Sequence, residues 1–262
     1  MAGIDTPAGY TGLQRISTGA EADLYRAWDE YAAKAVVLRL YHRFARGRAE
    51  EAAFAEYCAT AVSLGRHPGI VAARAGGITA TGRPWLALDL IEGRTFEEVL
   101  RDDPPAPADA IDLVITLADA LASAHTSMTH GRLRAAHVLI TAAGVPLVHD
   151  FALRSTATPR DDVTNLAALL FRALTGSHWP DGDDRIIKSW PGLTQLLDET
   201  LTPVPSVDTM AAFADRLRQV RPAASPPAPV VQPVAPLPLP LVRPKRTVAL
   251  LALLRAAWLR VR

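Results

Sequence analysis

The first ninety residues alternate short apolar runs with polar breaks, which is the pattern of β-strands. The runs are GLQRI, DLYRAW, AVVLRLY and PWLALDLI, all between residues 12 and 91. Residues 48–65, RAEEAAFAEYCATAVSLG, differ because they are rich in Ala and Glu and predict a helix. Residues 11–92 are therefore predicted to form a small β-rich lobe with one helix.

Residues 93–220 mostly show the apolar spacing of helices. The predicted helices are FEEVL, IDLVITLADALASAH, DVTNLAALLFRALTG, LTQLLDETL and SVDTMAAFADRLRQV, and two short strands are predicted near 138–150. This part predicts a larger helical lobe. The fold class predicted for the whole body is α+β, with two lobes.

The last forty residues have a different composition. Residues 222–244 contain nine prolines, which predicts an extended linker at 221–245. Residues 246–262 predict a basic helix, amphipathic or membrane-proximal. Its apolar run is interrupted by Arg255 and is shorter than the roughly 20 residues that span a bilayer. We expect residues 243–262 to contact an anionic membrane surface. A helix that docks on a partner protein, or a remnant without a role, is the alternative.

Charge is distributed unevenly along the chain. Seven of the 28 Lys and Arg residues lie in 221–262, which holds no acid, so residues 1–220 carry 21 basic and 27 acidic groups. We expect no nucleic-acid partner. A single cysteine, Cys58, excludes a disulfide framework, and no signal peptide opens the N-terminus. A cytoplasmic location is expected, peripheral at the inner face of the plasma membrane if the tail binds lipid.

Several short motifs resemble the protein kinase fold, and most closely the bacterial, actinobacterial-type Ser/Thr protein kinases. In chain order they are RISTGAEADLYRAWD at 15–29 (glycine-rich loop), AVVLRLY at 35–41 (third strand), HPGIV at 67–71, WLALDLIEG at 85–93 (hinge), HGRLRAAHVLI at 130–140 (catalytic loop), VHDFA at 148–152 (D-F-G) and DVTNLAALLFRALTG at 162–176 (helix F). The resemblance covers residues 11–220 and implies a two-lobed kinase fold.

The catalytic-loop positions of this family are altered here. The position of the family's catalytic Asp is Arg132, which is a permanent cation and cannot act as a base. The loop Lys is replaced by Arg134. The Asn that holds a second metal ion is His137, a poor ligand for Mg²⁺. The resemblance therefore implies a degenerate member without catalytic residues, a pseudokinase, in which a salt bridge from Arg132 to Asp150 or Asp162 would make the loop structural.

The nucleotide-binding positions are partly retained. The glycine-rich loop keeps only Gly19 of three glycines, and Glu21 beside it is expected to repel phosphate. Arg39 stands where the family has its phosphate-binding Lys. Leu88 and Asp89 fall at the hinge, where backbone groups would meet adenine. These residues and Asp150 are the nucleotide-binding candidates, and Asp150 is a weak candidate metal ligand.

Two further positions depart from the family pattern. The family has an acidic residue on the first helix. Glu56 is the nearest candidate here, but the spacing also fits Tyr57, and in that case the acidic residue is absent. Only residues 151–161 separate Asp150 from Asp162, which is too short for an activation loop and a substrate-docking segment.

These substitutions predict a catalytically inactive regulatory or scaffold module. No cofactor is certain, and ATP, with or without Mg²⁺, is expected to bind weakly or not at all. The expected partner is a protein: a kinase, a phosphopeptide-binding protein or an envelope protein. The alternative is an atypical ATP-dependent phosphotransferase with a non-standard catalytic loop.

Overall fold

The computed structural model describes residues 5–182, 185–202 and 206–221, without the side chains of Ile186 and Pro191. These residues belong to one compact unit, Met1–Ala223. The Pro-rich linker and the C-terminal helix that the sequence predicts lie, apart from Arg221, outside the described residues. Both stay predictions.

The N-terminal lobe is built on a five-stranded antiparallel sheet. Its elements are β1 (Tyr10–Thr18), β2 (Ala22–Asp29), β3 (Lys34–Tyr41), α1 (Arg48–Leu64), β4 (Ala73–Ile78) and β5 (Pro84–Asp89). The strand order is β1-β2-β3-β5-β4. The inward positions of β3, Val36, Leu38 and Leu40, are fully buried and form the centre of one small core. Strand β3 is central, and it carries Arg39 toward the second lobe.

Helix α1 covers the sheet at β4. Its apolar face places Phe54, Tyr57 and Cys58 in a second small core with Tyr41 and Leu86. Gly76 of β4 allows this close approach, because a Cβ there would lie 2.4 Å from Cys58 Sγ. The opposite face of α1, which carries Glu56, is exposed. The apolar pattern did not predict β4, because ARAGGI has little β-propensity, although the resemblance of HPGIV to the link before the kinase fourth strand implied a strand there. The segment forms a strand by pairing with β5.

The C-terminal lobe combines a small sheet with packed helices. Its elements are β6 (Gly93–Thr95), α2 (Phe96–Asp102), α3 (Pro107–Ala124), a 3₁₀ turn (Ala135–His137), β7 (Val138–Thr141), β8 (Pro146–Val148), α4 (Pro159–Thr175), α5 (Arg185–Lys188), α6 (Pro191–Leu201) and α7 (Met210–Val220). Strands β6, β7 and β8 form an antiparallel three-stranded sheet. The α+β, two-lobed architecture predicted from the sequence is confirmed.

The C-terminal lobe has the larger core. Helix α3 packs against α4 and α7, and its inward residues Leu117 and Leu121 are fully buried together with Leu166, Leu170 and Phe213. Each such side chain contributes roughly 1.5–3 kcal/mol through removal from water. This core is a rigid base for the loops that enter and leave β7 and β8.

The two lobes are joined by main-chain hydrogen bonds as well as by the chain itself. Val71 N donates to Val148 O and Val148 N donates to Gly69 O, both at 2.9 Å. The segment between α1 and β4 is thereby attached to β8, immediately before His149 and Asp150. Among the described residues, no helix is long and apolar enough to cross a membrane.

Candidate functional site

Asp162, in the first turn of α4, anchors the loop between α3 and β7. The carboxylate of Asp162 is fully buried. It accepts hydrogen bonds from His130 N at 2.7 Å and Gly131 N at 3.0 Å, and it lies 3.0 Å from His125 Nε2. A buried carboxylate that accepts hydrogen bonds from two consecutive backbone N–H groups fixes the backbone of the loop. The position of Arg132 is therefore set by α4.

Arg132 extends from this loop into the space between the lobes. Its Nη2 lies 3.1 Å from Asp150 Oδ1, and its Nε donates to Asp150 O at 3.1 Å. Its Nη1 lies 2.9 Å from Glu21 Oε2, at the tip of the turn between β1 and β2. The salt bridge to Asp150 is one of the two that the sequence suggested. The bond to Glu21 connects the two lobes directly.

Arg39 contacts the same two carboxylates from β3. Its guanidinium is almost fully buried, pairs closely with Asp150 and lies 3.9 Å from Glu21. The ring of Tyr41 lies 4.9 Å from its central carbon, which adds a cation–π contact. Glu21, Arg39, Arg132 and Asp150 form what we call the charge cluster. Its formal charges sum to zero.

Asp150 is held by its backbone as well as by its side chain. Its φ of 68° lies in the left-handed region, which costs a non-glycine residue roughly 1 kcal/mol. The neighbouring peptide is fixed because Ala152 N donates to His130 O at 2.9 Å. The conformation is therefore imposed by the loop that Asp162 anchors, and it directs the carboxylate at Arg39.

His137 lies beside the second carboxylate oxygen of Asp150. Burial lowers the pKa of His137, so the imidazole is neutral near pH 7. Its Nδ1 then donates to Arg132 O at 2.8 Å, and its Nε2 accepts from Arg134 Nε at 3.0 Å. Nε2 also lies 3.1 Å from Asp150 Oδ2. Because the ring is neutral, this last contact is a close approach and not an ion pair.

The residues around Asp150 do not fit a magnesium ion. Mg²⁺ requires oxygen ligands in octahedral geometry, whereas Asp150 Oδ1 faces two guanidiniums and Oδ2 faces an imidazole. Within the described ranges, no group of three or more His, Cys, Asp or Glu side chains is placed to hold a metal ion.

The other nucleotide-binding candidates are engaged elsewhere. Gly19 donates its amide to Ala22 O at 2.9 Å, so this N–H is used within the turn. Asp89 pairs with Lys34 at 2.7 Å and with Arg74 through two guanidinium nitrogens. Leu88 lines a small cavity of about 30 Å³ behind Arg39 and Asp150, room for about one water molecule. The structure brings Arg39 and Asp150 together, with Leu88 on the wall of the same cavity, and it engages the Gly19 amide and the Asp89 side chain with other partners.

The α1 side chain that lines the cavity behind Arg39 and Asp150 is Tyr57, one of the two residues that the sequence left open. Its hydroxyl donates to Phe151 O at 3.1 Å and lies 3.3 Å from the Tyr41 hydroxyl. Glu56 points to solvent. Without a carboxylate from α1, the carboxylates that Arg39 meets within the described ranges are those of Glu21 and Asp150.

Three histidines surround this site. Burial lowers the pKa of both His130 and His149 to about 4, so both are neutral at pH 7. His130 Nε2 donates to His149 O at 2.9 Å, and the two imidazoles of His130 and His137 have centroids 5.9 Å apart. His130 is thus a structural residue that ties the loop to the chain before Asp150.

Sequence reasoning identified Glu21 only as a group that repels phosphate. Its role as the partner of Arg132 was missed, because the two residues are 111 positions apart. One signal was present in the sequence. Arg132 is a cation where the family has an Asp, and Glu21 is an anion in the glycine-rich loop. Because the kinase fold brings these two loops together, the two opposite charges can compensate each other.

Comparisons with known proteins agree with the fold. No protein-family model matches the chain. The serine/threonine-protein kinase PknK of Mycobacterium tuberculosis is 25% identical over 248 residues, which covers 79% of this chain and 21% of PknK. PknB of Mycobacterium leprae is 25% identical over 170 residues, 62% of this chain and 26% of PknB. The chain spans about a fifth to a quarter of the length of these relatives.

A solved structure shows the same architecture. The kinase domain of Mycobacterium tuberculosis PknI matches with a TM-score of 0.67 and 21% identity, over 82% of this chain and 97% of that domain. The two-lobed fold is therefore that of a protein kinase domain.

Removal of the Asp162 carboxylate should destabilise the whole lobe. Asp162→Ala leaves the amides of His130 and Gly131 without an acceptor, at about 1–3 kcal/mol for each. We expect a loss of more than ~2 kcal/mol in the free energy of unfolding in urea. Asp162→Asn, which keeps one acceptor oxygen, should fall between wild type and Ala. A loss below ~0.5 kcal/mol for Asp162→Ala would contradict the anchoring role.

Burial of His130 should make stability depend on pH. The pKa of His130 is about 4 when folded, below the ordinary value of 6.5, so the unfolded chain binds the proton more tightly. This contribution is present above pH 6.5 and is lost as the pH falls toward 4. We expect His130→Phe to show a smaller decrease in unfolding free energy between pH 7.5 and 5 than wild type. The exposed His178→Gln should match wild type; equal slopes for all three proteins would contradict the prediction.

Proposed function

We propose that the chain is a catalytically inactive member of the Ser/Thr protein kinase-like family, a pseudokinase that acts as a regulatory or scaffold module. The observation that carries the proposal is the charge cluster. Its two arginines and two carboxylates lie where an active relative would use a lysine, an aspartate, a metal ion and the phosphates of ATP.

The first support is the absence of a base at the catalytic-loop position. Phosphoryl transfer to a hydroxyl uses a carboxylate that accepts or orients the hydroxyl proton. Arg132 has donors only, and its Nη1, Nη2 and Nε are all engaged with Glu21 and Asp150. A substrate hydroxyl placed here would meet a cation.

The second support is electrostatic. A triphosphate attracts a site with unpaired positive charge, but both guanidiniums of the charge cluster already face carboxylates. An incoming phosphate would have to displace Glu21 from Arg132 and would then face the carboxylate of Asp150 without a metal ion between them. Weak binding of ATP, or none, follows from this arrangement.

The third support is the short segment after Asp150. Residues 149–158 have no regular secondary structure, and α4 begins at Pro159. Thr158 and Asp161 form a capping box that fixes this beginning. A segment of this length offers a protein substrate no docking surface. We therefore propose that the chain acts by binding a protein, such as a kinase, a phosphopeptide-binding protein or an envelope protein. In this proposal the 243–262 tail contacts an anionic membrane surface.

The test is a thermal-shift titration of the full chain with ATP, alone and with Mg²⁺ or Mn²⁺. A ligand that binds only the native state raises the Tm, and one present at 100 times its Kd adds about 2.7 kcal/mol. We expect no shift for wild type at about 1 mM nucleotide under any condition, because the charge cluster leaves no cation for the phosphates. We also expect no release of ADP in a coupled assay.

A variant provides the positive control. Glu21→Gly with Arg132→Asp removes the inter-lobe ion pair and restores the family's residue type at the catalytic-loop position. This protein should gain a shift with ATP, because removal of Glu21 takes one of the two carboxylate partners from Arg39. Arg66→Asp, on an exposed surface at the end of α1, should not gain a shift. A metal-dependent shift in wild type, with ADP release that Asp150→Ala abolishes, would instead establish the atypical phosphotransferase.

A further inference from the structure

A cavity of about 340 Å³ opens between the turn of β1 and β2, the end of β3 and the first turns of α1. Its floor is apolar and comes from Tyr41, Ala53, Phe54, Pro84 and Leu153. Sites that bind organic ligands or peptide side chains have volumes of about 300 Å³ and above. Tyr41 and Phe54 are buried and pack edge to face, with ring centroids 5.5 Å apart. The floor therefore rests on rigid elements.

The mouth of this cavity is basic. Arg43 lies 2.8 Å and Arg154 3.6 Å from the single carboxylate of Glu50, and Arg43 and Arg154 are 70% and 59% exposed. An adjoining depression is lined by His42, Arg43, Phe44 and Arg46. Glu21 also lines the cavity but is paired with Arg39 and Arg132 in the charge cluster. Outside that cluster, Glu50 is the one carboxylate among the described residues that lines the cavity or the depression beside Arg43, Arg46 and Arg154, which leaves positive charge at the rim.

An exposed aromatic ring stands at the same rim. Phe44 is 43% exposed, although large apolar side chains are usually buried. Together with the apolar floor it extends a continuous apolar surface from the cavity to the exterior. Exposed apolar surface bordered by charged groups is typical of a protein-interaction site.

We propose that this cavity binds an acidic peptide segment of a partner protein. One large apolar side chain of the peptide would enter the cavity, and flanking carboxylates would pair with Arg43, Arg46 and Arg154. Charge complementarity selects this occupant: a basic segment would be repelled by the rim, and an uncharged one would leave its excess positive charge uncompensated, since Arg43 and Arg154 share the one carboxylate of Glu50. The inference names the partner class for the module and so rests on the regulatory role proposed above.

The cavity also adjoins the charge cluster. Glu21 lines the cavity wall and pairs with Arg132, and Leu153 and Arg154 follow Asp150 by three and four residues. A peptide in this cavity would therefore contact the glycine-rich turn and the segment after Asp150 together. Binding of the peptide would therefore depend on the arrangement in which Glu21 pairs with Arg132.

The test is fluorescence anisotropy of the full chain with three labelled peptides: Glu-Asp-Phe-Asp-Glu, the same peptide with Ala in place of Phe, and Lys-Lys-Phe-Lys-Lys. The acidic Phe peptide should bind at least about tenfold more tightly than either of the others. Ala53→Trp, at an exposed position on the cavity wall, should weaken it about tenfold by filling the space. Arg43→Ala and Arg154→Ala should each weaken it up to about fivefold, and the exposed control Arg66→Ala should not.

Several outcomes would overturn the proposal. These are equal affinity for all three peptides, undiminished binding by Ala53→Trp with an unchanged Tm, or no binding at the highest soluble peptide concentration. A chain that dimerises in sedimentation experiments, and that Ala53→Trp makes monomeric, would show that a second copy occupies the cavity. Failure here leaves the nucleotide result unaffected, so the two proposals fail separately.

Discussion

Arg132 holds two carboxylates that come from different lobes, Glu21 from the turn of β1 and β2 and Asp150 from the segment after β8. Arg39 approaches the same two groups from β3 and is almost fully buried. A guanidinium that is always protonated and offers several donors in one plane suits such a role better than a lysine would. This arrangement of four charges connects the turn between β1 and β2 to the loop between α3 and β7.

The charge cluster in turn depends on the helical lobe. Asp162 in α4 fixes the backbone of His130 and Gly131, and His130 ties that loop to His149. Arg132 is therefore presented by a scaffold that the large core of α3, α4 and α7 keeps rigid. The fold has the two lobes of a protein kinase domain, and the four groups of the charge cluster neutralise each other between them. The regulatory role that we propose is based on this arrangement.

Much of the fold was predictable because its signals are local. The apolar face of α3 and the alternation in β3 come from neighbouring residues, and the Arg at position 132 could be interpreted as soon as the loop was compared with the kinase motif that it resembles. Strand β4 was not predictable from ARAGGI, since its pairing with β5 determines it. Tyr57 was one of two options, and the packing of α1 against the sheet selected it. The Glu21–Arg132 pair and the cavity beside Phe44 depend on contacts between distant segments, which one sequence does not specify.

A double-mutant cycle between Arg132 and Asp150 measures most directly whether Arg132 holds Asp150. The free energies of unfolding of wild type, Arg132→Gln, Asp150→Asn and the double variant would be measured in urea at neutral pH. We expect a favourable coupling energy of roughly 1–3 kcal/mol, because the two groups form a partly buried, hydrogen-bonded ion pair. Additive effects, within about 0.3–0.5 kcal/mol, would mean that Arg132 does not hold Asp150.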